Sequence, residues 1–318
     1  MDTSTHLLRR LDPNQGCTKS TCDASQSIYG YAPNLAATTI FLILFALSAL
    51  TYIYQGFRSR TYFFSTAMFI GCFAQVLGYI AKLLLHNDRA LQRYRFQISV
   101  VILTFAPAFY AAGIYYTLKH ICLTFGPSFS RLRPAMYTWI FISCDVFSII
   151  LQAIGGALAS ASTTTSILRV GDNVMITGLA VQVATMLAFA GLAADYGIAV
   201  RRNITNLNPE TSELRNSRRF KFFLMALWIA YLCILIRCAY RLAELANGWS
   251  DENEILRMEG LFIGLDSVPC GIASVLLNVW HPGWCFPREK QQDGREKVGS
   301  FLGSTSDEEG IVGIEGRR

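Results

Sequence analysis

The chain has 318 residues, of which 28 are lysine or arginine and 22 aspartate or glutamate, and 52% are hydrophobic with a mean hydropathy of +0.34. That charged share, 16%, is well below the roughly 25% of an average soluble domain, so disorder of the bulk chain is excluded. Nine cysteines and no glycine period also exclude a disulfide-stapled mini-protein and a collagen.

The apolar residues are concentrated in seven runs, at Asn34–Tyr54, Tyr62–Leu85, Ile98–Phe125, Ala135–Ala159, Val174–Val200, Phe220–Ala243 and Glu259–Trp280. Each is long enough, at about 1.5 Å rise per residue, to cross a hydrocarbon layer roughly 30 Å thick. The third run contains Pro107. The expected fold is therefore all-α, a polytopic membrane protein of seven helices. Its divisions are an N-terminal tail (1–33), a membrane domain (34–283) and a disordered tail (284–318) rich in charge, serine and glycine.

Orientation follows from the basic residues. The odd-numbered loops and the C-terminal tail hold 15 lysines and arginines near the spans, against 8 in the N-terminal tail and even-numbered loops. The positive-inside rule then places the N-terminus outside and the C-terminus in the cytoplasm. The net charge of +6 reflects this topology, and no nucleic-acid partner is expected. The first 33 residues lack an apolar core, so the first helix is expected to act as signal anchor. Cys17 and Cys22 fall in the outer tail, where a disulfide is chemically permitted. The other seven cysteines read as small apolar packers. Close helix packing is expected at Gly71, Gly78, Gly155-Gly156, Ala190 to Ala194, and the Gly260-to-Gly264 spacing.

Ionisable residues inside a membrane are costly, so each is a functional candidate. Asp145 and Gln152 lie two turns apart on the fourth helix, Gln182 on the fifth and Gln75 on the second. Arg237, Arg241 and Glu244 share one face of the sixth helix, and Glu259 and Asp266 one face of the seventh. Lys82, Lys119 and Asp195 lie near helix ends, where they can snorkel. One reading is structural, with Arg237 and Arg241 pairing with Asp145, Asp266, Glu244 or Glu259. The other is a polar pocket open to the outer half of the bilayer, in which a carboxylate holds the cationic head of an amphiphile.

The inventory narrows the chemistry. The seventh span has no lysine for a retinal Schiff base. The four histidines (His6, His86, His120, His281) lie in tails or at span ends, which disfavours a zinc hydrolase, and no metal or other cofactor is expected. No Gly-x-x-x-x-Gly-Lys-[Ser/Thr] occurs, so ATP-driven movement is not expected. The third helix ends Leu118-Lys119-His120 and the seventh Asn278-Val279-Trp280-His281-Pro282, without the usual signatures of G-protein-coupled receptors.

In chain order the residues form a pattern. It runs from Gly30-Tyr31-Ala32-Pro33-Asn34 through Gly78-Tyr79 to Ala106-Pro107-Ala108-Phe109-Tyr110-Ala111-Ala112 and Tyr115. It continues with Asp145-Val146, Gln152, Gly155-Gly156, Gly178-Leu179 and Gln182. Ile236-Arg237, Tyr240-Arg241, Glu244, Gly248, Glu259, Asp266 and His281-Pro282 complete it. Over roughly 29–283 the chain resembles the fungal lipid-translocating exporter family, seven-helix proteins linked to resistance to toxic lipids. There are departures: Gln75 stands where the family usually has Glu, Lys82 where it has Arg, and a histidine near the end of the first helix is absent.

The resemblance implies a non-enzymatic, multi-pass plasma-membrane exporter of amphipathic lipids. Sphingoid long-chain bases are the first expectation, and sterol-like amines or porphyrin-type compounds are alternatives. A lipid-responsive receptor is the second reading. The implied substrate-binding set is Asp145, Gln152, Gln182, Arg237, Arg241, Glu244, Glu259, Asp266, Gln75 and Tyr110. Asp145 and Asp266 are expected as head-group or proton partners, and Arg237 and Arg241 as their counter-charges.

The orientation has a direct check. The sequon Asn203-Ile204-Thr205 falls in the expected cytoplasmic fifth loop and should carry no glycan. A glycosidase-sensitive mobility shift that an Asn203→Gln variant loses would reverse the topology.

Overall fold

A computed structural model describes residues 34–87, 92–126, 130–131, 133–161, 164–203, 214, 216–246 and 258–285. The two tails, with Cys17 and Cys22, lie outside them. So does most of the fifth loop, and so does the side chain of Glu259.

Seven helices are long and apolar enough to cross a membrane. They are α1 (Leu35–Ser59), α2 (Tyr62–Asn87), α3 (Gln92–Phe125), α4 (Pro134–Ala161), α5 (Thr165–Arg202), α6 (Arg218–Ala246) and a composite seventh. The composite joins α7 (Glu259–Phe262), a π-helical turn (Ile263–Ser267), α8 (Val268–Val279) and the short α9 (Pro282–Cys285). All seven expected runs are found, but the helices outrun them, α5 by nine residues at its N-terminal end. A polar flank extends a helix beyond its apolar stretch because backbone hydrogen bonding does not require apolar side chains.

The radial pattern is that of a bundle in lipid. Ile40, Leu47, Phe57, Trp139, Phe147 and Val279 face outward, whereas Asp145, Gln182, Arg237, Arg241 and Asp266 are buried. A soluble protein has the opposite arrangement. The Asn34 side chain caps α1 by accepting from the Ala36 and Ala37 N–H groups, at 3.0 and 3.3 Å.

Two prolines shape the interior. Pro107 lies within α3 and has no N–H to offer the Leu103 carbonyl four residues back. Pro269, at the start of α8, likewise offers none to Leu265. The chain just before Pro269 widens into the π turn, closed by the Val268 N–H on the Ile263 carbonyl. Asp266 sits in that turn.

Helices α4 and α5 approach each other closely along their backbones. A Cβ on Gly155 would lie 2.5 Å from Met175 N and 2.6 Å from Gly171 O. One on Gly171 would lie 2.7 Å from Ala159 N, so the contact is reciprocal. Packing at Gly155 was expected, whereas Gly171 carried no such expectation. The Gly260-to-Gly264 spacing is not used for close packing, since a Cβ at either position would have no neighbour within 4 Å. The far end of the seventh span is tied to α2, where His281 Nε2 meets Ser65 Oγ at 3.2 Å and its ring packs on Phe64.

A paired comparison tests the packing. Gly155→Ala forces α4 from α5 and should cost about 1–3 kcal/mol, the usual range for overpacking. Gly264→Ala should leave the melting temperature in detergent unchanged or raised, because it meets open space and improves helix propensity. Equal melting of the two variants would contradict the α4–α5 contact.

Candidate functional site

The expected site residues separate into three groups. The first is an ion-pair network that joins α3, α6 and the seventh span. Asp266 Oδ1 receives Arg241 Nε at 2.8 Å and lies 3.1 Å from Arg237 Nε. Arg241 NH1 also donates to Glu244 Oε2 at 2.8 Å, three residues along the same helix. Arg237 NH2 donates to the Leu103 carbonyl, the one that Pro107 cannot serve. A backbone acceptor freed inside the membrane must find a donor, and an arginine from a neighbouring helix supplies it. All four charged side chains are almost completely buried.

Lys82 belongs to this group as well. It does not snorkel, since it is 3% exposed and its Nζ stands 3.3 Å from the centre of the Phe262 ring. The guanidinium of Arg241 lies 5.2 Å from the same ring, so Phe262 receives two cations on its π-electron faces. Tyr79 closes the group by donating to Ser267 Oγ at 2.6 Å, next to Asp266.

The second group joins α4 and α5. Gln152 Nε2 donates to Gln182 Oε1 at 2.9 Å, both residues being buried. Tyr110 and Gln75 stand apart from both groups. Tyr110 donates to Cys72 Sγ at 3.4 Å, while neither polar atom of the buried Gln75 amide meets a hydrogen-bond partner among the described residues.

Asp145 forms the third group. It is 2% exposed, and neither carboxylate oxygen takes part in a hydrogen bond of ordinary geometry among the described residues. The Tyr115 hydroxyl acts on it from α3 and Tyr231 from α6. An aromatic cluster surrounds these hydroxyls, with Phe189 4.3 Å from Tyr115, 5.2 Å from Phe141 and 5.5 Å from Tyr231, centre to centre. The arginines therefore pair with Asp266 and Glu244, and Asp145 is left out of the network.

The sequence reading did not anticipate a cavity of about 580 Å³ between α3, α5 and α6. Its inner end is formed by Ile114, Phe189 and Tyr231, next to the Asp145 group. Its outer end is formed by Phe125, Arg201 and Lys221, where α3 and α5 finish and α6 begins. None of the ten expected site residues lines it. The signal for it lies in small residues on one face of α5, Ala190, Ala193 and Gly197, which are unremarkable in an apolar run. Among the described residues no cluster of histidine, cysteine, aspartate or glutamate is arranged to hold a metal.

Comparison with known proteins now bears on this geometry. The family model described as RTA1 like protein matches residues 68–289, most of the membrane domain. The chain belongs to the RTA1-like family. Sphingoid long-chain base transporter RSB1 of Saccharomyces cerevisiae is 33% identical over 291 residues, covering 82% of this chain and 75% of that protein. Probable lipid transporter atnI of Emericella nidulans is 26% identical, over 81% of this chain and 68% of its own. Protein RTA1 of Saccharomyces cerevisiae is 25% identical, over 80% and 84%. No solved structure matches the chain.

The network makes a strong folding prediction. Asp266→Ala leaves two buried arginines without their shared carboxylate, a change that costs about 3–5 kcal/mol in comparable buried pairs. Breaking the exposed Arg131–Asp195 pair, 2.6 Å apart at the surface, by Arg131→Ala should leave stability nearly unchanged, because solvent screens it. Melting curves of the two variants in detergent check the contrast, and equal losses would contradict it.

Proposed function

We propose that this RTA1-like protein moves amphipathic lipids between the leaflets of the plasma membrane, with long-chain amines of the sphingoid-base type as substrates. The similarity to a sphingoid long-chain base transporter over four fifths of the chain supports the substrate class. The observation that carries the site is the contrast between two buried aspartates. Asp266 stands against two arginines at Oδ1, so its charge is already compensated and an incoming ammonium gains less there. Asp145 has no cation and no well-formed hydrogen bond among the described residues.

A carboxylate buried without a cation is costly as an anion. It therefore holds a proton or attracts a cation, and either state serves amine movement. An arriving ammonium pairs with the carboxylate, and protonation of the carboxylate releases it. Tyr115 flanks this position and can donate to the charged form, while Tyr231 donates to the Met186 carbonyl. Gln152 and Gln182 pair with each other one to two turns away and hold α4 against α5, which fixes the helix that bears Asp145. Arg237, Arg241, Glu244 and Asp266 act as scaffold in this reading, along with Lys82.

Movement then draws on the substrate gradient or the proton gradient. On the positive-inside orientation, Asp145 lies roughly ten residues from the cytoplasmic end of α4, near mid-membrane, where a head group passing between leaflets needs a partner.

The neutral isostere tests this. Asp145→Asn removes the charge without breaking an established hydrogen bond, so it should fold, reach the membrane and melt within about 1 kcal/mol of the parent. Reconstituted in vesicles, it should move a fluorescent long-chain base at least tenfold more slowly. Parent-like movement by a folded Asp145→Asn protein would remove Asp145 from the mechanism. No movement by the parent above empty vesicles would favour a receptor that senses the lipid.

A further inference from the structure

The cavity between α3, α5 and α6 has a charge and shape of its own. Three helix faces build its walls. Ile114, Leu118, Ile121 and Phe125 recur at helical spacing on α3, and Leu224, Leu227, Trp228 and Tyr231 on α6. On the α5 face the small Ala190, Ala193 and Gly197 leave gaps between Phe189, Tyr196 and Val200. A Cβ on Gly197 would meet nothing within 4 Å, so the space beside it is unfilled.

The charged groups of this cavity lie at one end. Arg201 is in the last turn of α5 and Lys221 in the first turn of α6, so the antiparallel helices bring two exposed cations to the same rim. Neither is in an ion pair among the described residues. The tyrosines inside already use their hydroxyls on the backbone. Tyr196 lies 3.5 Å from the Cys122 and Gly126 carbonyls, and Tyr231 donates to Met186 O. The walls therefore present hydrocarbon, while the rim presents positive charge at the depth of lipid head groups.

We infer that this cavity is a binding site for a single-chain amphiphile with a phosphate head, its tail between α3, α5 and α6 and its head against Arg201 and Lys221. The volume of about 580 Å³ falls within the roughly 300–1,000 Å³ typical of small-molecule sites. A phosphate monoester carries about −1.5 to −2 charges at neutral pH, which two cations match. Arginine engages phosphate through two parallel N–H donors, and the positive end of the α6 dipole adds to the attraction. A long-chain amine is repelled at this rim, so the site differs in charge and place from Asp145. On the positive-inside orientation the rim faces the cytoplasm, and the amphiphile comes from that leaflet.

Equilibrium binding to the full chain in phosphatidylcholine nanodiscs tests the inference. Radiolabelled hexadecyl phosphate should bind saturably, and neither inorganic phosphate nor hexadecyltrimethylammonium should displace it. Gly197→Leu fills the space without a backbone clash and should weaken binding at least tenfold while the unliganded protein melts normally. Gly197→Ala leaves room for the tail and should retain binding. The double variant Arg201→Gln, Lys221→Gln should weaken hexadecyl phosphate at least tenfold and remove most of the salt dependence. Parent-like binding by Gly197→Leu would overturn the site, and equal displacement by the quaternary ammonium would overturn its charge preference. The assay does not depend on base movement, because an inactive translocase still binds hexadecyl phosphate if the cavity is this site.

Discussion

The bundle depends on one requirement, that charge buried in an apolar medium must find its partner within the protein. Asp266 is the point where that requirement is met. It receives Arg241 at 2.8 Å and stands 3.1 Å from Arg237, so one carboxylate binds two positions of α6 to the seventh span. Arg237 then reaches α3 through the Leu103 carbonyl. Hydrophobic burial cannot choose among helix arrangements in lipid, because the tails are as apolar as leucine. Ion pairs and backbone donors can choose, since misplacing any one leaves a charge or a carbonyl uncompensated.

Two prolines make that arrangement possible. Pro107 withholds an N–H from Leu103, which creates an acceptor deep in α3. Pro269 stands immediately after the π turn that holds Asp266. Each proline costs its helix a hydrogen bond, and the arginine network lies where the two irregularities face α6. The irregular backbone is buried in protein, as the absence of water in the membrane demands.

The seven spans were legible in the sequence because hydrophobic length is a local property, and a helix in lipid satisfies its backbone locally. The positions of Arg237, Arg241, Glu244 and Asp266 were legible for the same reason, since periodicity shows which residues share a face. Their pairing was not. Periodicity alone left Asp145, Asp266, Glu244 and Glu259 as equal partners for the arginines, and only the arrangement of helices separates Asp145 from Asp266 and Glu244. Lys82 was misjudged for a related reason. Its place near the end of α2 suggested an escape to the surface, but Phe262 from the seventh span covers it. The Gly260-to-Gly264 spacing had the form of a contact and no neighbour within 4 Å, while Gly171 had no motif and packs on the α4 backbone. The cavity was the least legible feature, because it consists of what three non-consecutive helices leave unfilled.

Charged and neutral contacts are separated within the bundle. The ion-pair network lies between α3, α6 and the seventh span, and its members are tied to each other and to the backbone. Asp145 and the cavity lie on the side of α3 and α6 that faces α4 and α5. That side meets α5 through neutral contacts, the Tyr231 hydroxyl on the Met186 carbonyl and the tilted rings of Tyr115, Phe189 and Tyr231, while a glutamine pair and the Gly155–Gly171 approach hold α4 to α5. Neutral contacts in lipid are weaker than buried ion pairs and can be remade in more than one register. Relative movement of α4 and α5 against a fixed remainder therefore strands no charged group from its partner. On the proposed function, such movement would change the surroundings of Asp145 while Asp266 stays paired.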